Sequence, residues 1–368
     1  MQLTHIGIRN IRNLEQIALV PSSGLNVLLG ENGSGKTSLL EALFILGRGR
    51  SFRANQLAQV TRWGQLGFVV TGRLTDDNGR QITIAVEWTG SETRAHLEGR
   101  RIDSVAELAR VLPVLAIGPE SRALVDGGPK SRRRFLDWGV FQQQALFWEA
   151  WRRFQRALKQ RNTALRCREE AALVTAWDRE LVDSGLVIDQ ARREYVNLLQ
   201  QALQDRVTAL LGELTIEVRY QQGWREGRSY QSLLTENLAK DFAVGYTRLG
   251  PHRGDMVLQC AGVTVQQSLS RGQQKLLIVA LYLAQLDLLV NHQGRHCLVL
   301  VDDLAAELDE QHRQQFMELL LAVGGQIFVT TTDNLPITSI TKDYKTFFIK
   351  QGSLSQSGLA NNEGRGTL

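Results

Sequence analysis

Gly30-Glu31-Asn32-Gly33-Ser34-Gly35-Lys36-Thr37 is the stretch that decides the fold. It follows the pattern G-x-x-x-x-G-K-[ST], and its flanks supply what that pattern requires. Leu25 to Leu29 is a short apolar run ending at a glycine, as in a buried strand. Leu39 to Leu46 carries apolar residues at helical spacing. Strand, glycine-rich loop and helix in this order turn backbone N–H groups inward around phosphate oxygens, and the helix start adds partial positive charge there. Gly30, Glu31, Asn32, Gly33, Ser34 and Gly35 are therefore candidate phosphate-cradling residues. Lys36 is placed to reach the β- and γ-phosphates, and the Thr37 hydroxyl to ligate Mg²⁺.

A metal site needs a carboxylate facing this loop. Cys297-Leu298-Val299-Leu300-Val301 reads as a buried parallel strand and runs straight into Asp302-Asp303. Carboxylates at the carboxyl end of such a strand point into a nucleotide crevice. Asp302 is assigned to Mg²⁺ through a water, and Asp303 to orienting or activating an attacking water. The other reading of Asp303 is an exposed acid favoured at the start of a helix near Leu304. Leu269-Ser270-Arg271-Gly272-Gln273 opens a long apolar helix. A serine and free N–H groups at a helix start make a phosphate site, although a serine cap before an apolar helix is also commonplace.

The rest of the chain bounds the problem. It has 368 residues, a net charge of +5 and the composition of an ordinary globular protein. The three cysteines, Cys167, Cys260 and Cys297, are scattered and read as reduced thiols. No apolar leader is evident at the N-terminus. Leu276 to Val290 is the most apolar segment, but it contains Gln285 and Asp287 and is too short for a bilayer. A cytoplasmic protein with no membrane partner is expected. Residues 3–9 suit an edge strand, 66–74 and 81–88 a strand pair, and 129–211 a mainly helical segment. Ile216, Val218 and Tyr220 alternate as a strand, and a hairpin is expected around Ala261-Gly262. The expected organisation is a head in two parts, 1–128 and 213–350, a helical arm at 129–212, and a disordered tail at 351–368.

The arm is strongly basic. Between Lys130 and Arg168 there are eleven Lys or Arg residues and two acids, Asp137 and Glu149. Arg152, Arg153, Arg156 and Lys159 avoid the stripe Phe147–Trp151–Phe154–Leu158, so one helix buries its aromatics and offers a cationic face. Phosphate contact by such a face is independent of sequence and sensitive to salt. A solvated face is the alternative, but such faces usually mix both signs. The aromatics read as core before base-stacking platforms. A second basic group, Arg48, Arg50 and Arg53, follows the nucleotide helix and fits either DNA or the nucleotide.

Order and spacing of the motifs resemble ABC-type ATPases, whose signature LSGGQ is similar to Leu269–Gln273. That resemblance implies that Ser270, Arg271, Gly272 and Gln273 contact the γ-phosphate of ATP held by a second copy, in a head-to-tail homodimer. Asp309, in Ala305-Ala306-Glu307-Leu308-Asp309, resembles the loop that follows the acidic strand in this class; a surface carboxylate is its other reading. The class often carries a histidine where Thr330-Thr331-Thr332 stands, and a glutamate where Asp303 stands, which points to a slow, switch-like ATPase. Within the class, Ile11-Arg12-Asn13, Gly47-Arg48-Gly49-Arg50-Ser51-Phe52-Arg53, Gly127-Gly128-Pro129-Lys130, Arg133-Arg134-Phe135-Leu136-Asp137-Trp138, Lys159-Gln160-Arg161-Asn162, Gly250-Pro251-His252-Arg253 and Arg271 in the signature resemble the RecF family of bacterial repair proteins. The fold implied is an α/β ABC-type P-loop head, a mixed sheet with helices, carrying an inserted helical arm. The function implied is ATP- and Mg²⁺-dependent dimerisation on single-stranded, gapped or junction DNA in recombinational repair, fork maintenance and SOS induction, with RecR and RecO as partners in recombinase loading. A transporter subunit fits less well, because it has no use for a basic helical insert. A metabolic kinase has no use for Ser270.

Overall fold

The computed structural model describes residues 1–76, 78–303, 309–332, 341 and 344–356. The chain forms two compact units, Met1–Ser121 with Gly294–Leu368, and Arg122–Gln293.

The first unit starts with β1 (Gln2–Ile11), β2 (Leu14–Leu19), β3 (Leu25–Leu29) and α1 (Lys36–Arg48). After these come β4 (Phe68–Thr75), β5 (Gln81–Trp88), β6 (Thr93–Leu97), β7 (Arg100–Ile102), α2 (Val105–Val111) and β8 (Val114–Ile117). An antiparallel sheet runs in the order β2-β1-β4-β5-β6-β7. β1 is thus an inner strand, not the expected edge. Arg12 and Asn13 form a two-residue turn that places Ile11 opposite Leu14 and folds β2 back onto it. Arg12 takes φ 52° in that turn, a conformation two-residue hairpins favour. Leu3, Ile6, Ile8 and Ile11 are the buried residues of β1, with a register shift between Leu3 and His5, and share one core with Leu39, Leu40, Leu43 and Leu46 of α1.

The second unit contains α3 (Pro129–Gln143), α4 (Phe147–Cys167), α5 (Ala171–Thr175), α6 (Asp178–Leu211), β9 (Ile216–Gln221), α7 (Tyr230–Val244), β10 (Asp255–Cys260), β11 (Val263–Thr264), α8 (Val265–Ser268) and α9 (Arg271–Gln293). α6, 34 residues long, packs against both α4 and α9. The hairpin at Ala261-Gly262 forms as expected, with φ 50° and 77°. α9 is a core helix, and its polar residues have partners: Gln285 Nε2 donates to the Phe135 carbonyl and the Tyr195 hydroxyl, and Asp287 pairs with Arg206 at 2.6 Å. That packing moves the expected boundaries. The units meet at Ser121/Arg122 and Gln293/Gly294, so β9 to β11 and the segment around Ser270 belong with the helices and not with the acidic strand.

Buried ion pairs hold this unit together. Arg161 is fully buried and binds Asp178 at 2.7 Å, Asp241 at 2.8 Å and the Thr247 hydroxyl at 2.8 Å. Arg192 binds Asp137 and the Pro251 carbonyl, both at 2.7 Å, and Arg132 binds Asp255 at 2.7 Å. Burial pushes the Asp178 carboxyl up, against the pull of Arg161, and pushes the His252 imidazole down to about 4.

The chain returns to the first unit with β12 (Leu298–Val301), α10 (Glu310–Val323), β13 (Gln326–Thr331), β14 (Tyr344–Lys350) and β15 (Ser353–Gln356). A second sheet runs β15-β14-β3-β13-β12-β8, parallel throughout except for β15. β3, which leads into the glycine-rich loop, lies between two strands from the far end of the chain. The expected disordered tail therefore begins with a paired strand, because Ser353–Gln356 folds back on Phe347–Lys350. Residues 357–368 lie outside the described residues.

Candidate nucleotide site

The loop between β3 and α1 is a backbone cradle. Gly35 caps α1 at φ 119°, where a side chain would strain the backbone and press on Leu14 and Asn13. A Cβ on Gly30 would run into the Ile349 carbonyl. The loop carbonyls are clamped from behind. Asn13 Nδ2 donates to the Gly33 and Ser34 carbonyls at 3.3 and 3.0 Å, and its Oδ1 accepts from the Ser38 hydroxyl at 3.1 Å. The Gly352 N–H donates to the Ser34 carbonyl at 2.8 Å. Lys36 Nζ donates to the carbonyls of Gly30 and Glu31 at 2.6 and 3.0 Å. Burial lowers the Lys36 pKa, and the charges of Asp303 and Asp302 oppose that shift.

The acidic strand end arrives where the motif places it. The Thr37 hydroxyl donates to Asp302 Oδ1 at 3.0 Å, and the Thr330 hydroxyl donates to the same oxygen at 2.8 Å. The Thr330 oxygen also accepts the Asp303 N–H at 2.8 Å. Burial raises the Asp302 carboxyl, the two hydroxyls pull it back, and Asp303 adds a like charge. Asp303 sits at φ 53°, a left-handed conformation uncommon for a residue with a side chain. Residues 32–38, Arg53, Asp302, Asp303 and Thr330 line one open cleft.

Three contributors had no role in the sequence reading: Asn13, Glu120 and Glu41. The basic group read after the nucleotide helix divides. Arg53 joins the cleft, whereas Arg48 donates to the Val114 carbonyl and covers the Phe44 ring. Glu120, just beyond β8, has its carboxyl raised by burial and by the charge of Asp302, with Arg53 opposing. Glu41 is fully buried and accepts from Arg12 at 2.9 and 3.0 Å and from Ser51 at 2.5 Å, tying the β1–β2 turn to α1. The only signal for Asn13 was its place in the string Ile11-Arg12-Asn13.

Ser270 caps α9. The Gln273 N–H donates to its hydroxyl at 3.3 Å, and the Ser270 N–H donates to Gln273 Oε1 at 2.9 Å, a reciprocal capping box. Ser270, Arg271 and Gly272 are exposed, with the helix N-terminus open above them. Asp309 caps α10, accepting the His312 N–H at 3.0 Å and pairing with its ring at 2.7 Å, bonds that lower its pKa. The residues before it, 304–308, lie outside the described residues.

On α4, Arg152, Arg156 and Lys159 are exposed. Arg153 is not free, because Glu180 takes its guanidinium in two bonds of 2.6 and 3.0 Å. The aromatic stripe splits. Phe147, Phe154 and Leu158 are buried, but Trp151 is half-buried and stacks on Trp148 with centroids 5.6 Å apart and planes 9° apart.

Fold and cleft together define a P-loop head of the mixed-sheet ABC and SMC type. Residues 2–355 match the family model described as the RecF/RecN/SMC N terminal domain. A DNA replication and repair protein RecF from Edwardsiella ictaluri is 39% identical over 357 residues, covering 96% of this chain and 100% of that protein. The chain belongs to the RecF family. Among solved structures, the recombination mediator RecF bound to ATP, of the RecFOR pathway, superposes with a TM-score of 0.88 at 23% identity, over 97% of this chain and 98% of that one. An Smc head bound to the C-winged helix domain of ScpA superposes at 0.60 and 12%, over 99% of each chain.

Proposed function

We propose that this chain binds Mg²⁺–ATP in the cleft over residues 30–37, dimerises head-to-tail on DNA in the ATP state, and marks single-strand gaps or junctions for recombinase loading with RecR and RecO. The observation that carries the reading is the shared oxygen of Asp302, held by Thr37 and Thr330 at 3.0 and 2.8 Å. Thr37 and Asp302 offer hard oxygens side by side, the donor type that Mg²⁺ takes. The metal would draw charge from the phosphate oxygens. Lys36, now on two loop carbonyls, would exchange these weak acceptors for charged ones. Asp303 orients the attacking water. Slow, switch-like hydrolysis follows from Thr330, whose hydroxyl is tied to both acidic residues and stands where a proton-shuttling base is otherwise useful. Ser270 and the open start of α9 complete the γ-phosphate shell of a second copy. Asp309 serves that interface from its cap.

Cytoplasmic action in recombinational repair, fork maintenance and SOS induction accompanies this reading. The test is sedimentation with ATP and Mg²⁺, with and without gapped DNA. Wild type should shift to a dimer and Ser270→Ala should remain monomeric while still binding ATP. A Ser270→Ala dimer of normal affinity would falsify the sandwich.

A further inference from the structure

We infer that Trp148 and Trp151 form a stacking platform for the bases of single-stranded DNA, with Arg152 and Lys159 taking its phosphates. The inference rests on the DNA reading above and adds the kind of strand and its place.

The geometry is that of one helix. At about 100° per residue, Trp148, Trp151, Arg152, Gln155 and Lys159 fall within an arc of roughly 100° on α4. Phe147, Ala150, Phe154, Ala157, Leu158, Arg161 and Leu165 form the buried side, whose edge adjoins Trp151. Both indoles are half-buried and lie parallel, and Phe141 meets Trp148 edge-on at 5.9 Å. Core aromatics are normally driven inside; two parallel indoles left at the surface beside cations present a flat π-face where bases stack regardless of their identity. From residue 148 to residue 159 the helix advances about 16 Å, long enough for about three extended nucleotides.

Charge selects the occupant. Arg152 and Lys159 make no ion pair among the described residues, and Glu149 is the only acid on α4. Glu180 is engaged by Arg153, and Gln144 and Gln190 hold Glu194. A half-buried aromatic pair continued by unneutralised cations favours a polyanion with flat groups over an apolar protein surface.

The test measures binding of the full chain, with ATP and Mg²⁺, to a dT15 oligonucleotide and to a blunt duplex of the same length. Trp148→Ala should weaken dT15 binding about tenfold and leave the duplex within twofold, and Trp148→Phe should retain most of the dT15 affinity. Arg152→Ala with Lys159→Ala should flatten the salt dependence on dT15 by about 0.7 per lost contact. Thermal melts check that each variant is folded. Should wild type bind neither DNA, the broader reading fails. If wild type binds dT15 and Trp148→Ala binds it equally, or loses both DNAs equally, the platform alone is overturned and the indoles belong to a protein contact.

Discussion

The phosphate cleft and the basic helix α4 are both rich in polar and charged residues, yet they are built in opposite ways. In the cleft the motif residues come together, Thr37 on Asp302 and residues 32–38 along one lining, because the motif is a statement about backbone: which N–H groups turn inward, which position needs a glycine, which residue starts a helix. On α4 and its neighbours, charge was counted but partners were not. Of the eleven cations, Arg161 is fully buried, Arg132 and Arg153 are paired with acids, and Arg133 donates to the Gly254 carbonyl. A local motif survives folding unchanged. A local charge excess is divided by the fold into structural bonds and a smaller free surface.

Five substitutions would break or sharpen that contrast. Lys36→Ala should weaken ATP binding about 100-fold, since it removes two charge-assisted bonds, and should leave the melting temperature nearly unchanged; titration with a fluorescent ATP analogue and a thermal melt check both. Arg161→Ala should do the reverse. It strands Asp178 and Asp241 in the interior at a cost of about 3–5 kcal/mol, lowering the melting temperature by about 10 °C. Equal stability would mean that the triad contributes nothing. Asp302→Asn should raise the melting temperature by a few degrees, roughly 2–4 °C per kcal/mol, while abolishing ATP turnover. The sign follows from burial: the folded pKa of Asp302 is raised, so its ionised form costs stability once the pH is above that value. The gap should close as pH falls through the carboxylate range, where wild type is protonated too, and melts across that range read it. Smallest of all, Arg152→Ala should reduce the salt slope of duplex binding by about 0.9 and Arg153→Ala by much less, because Glu180 already holds Arg153.

How much was legible follows the same division. Gly30 to Thr37, the strand before them, the acidic strand end and the cap at Ser270 were readable because each is specified within a few residues. Asn13 was not, because its work is done on carbonyls 20 and 21 residues away. The inner position of β1 was missed because polar–apolar alternation reports one buried face and says nothing of the strand's two edges. The unit boundary at Gln293 was missed because it depends on α9 packing along α6, a contact between distant stretches. Thr330 was noticed only as a departure from a pattern. Its bonds to Asp302 and Asp303 appear only when two parallel strands lie side by side.

The position of β3 has a consequence for the newborn chain. The glycine-rich loop is translated before both strands that flank β3, and before the Gly352 N–H that holds the Ser34 carbonyl, by about 300 residues. At about 5–20 residues per second the ribosome needs roughly 15–60 s to deliver them. During that interval Gly30 to Thr37 has its letters but not its walls, so a chain stopped short of Tyr344 is expected to carry the whole motif and yet bind no nucleotide.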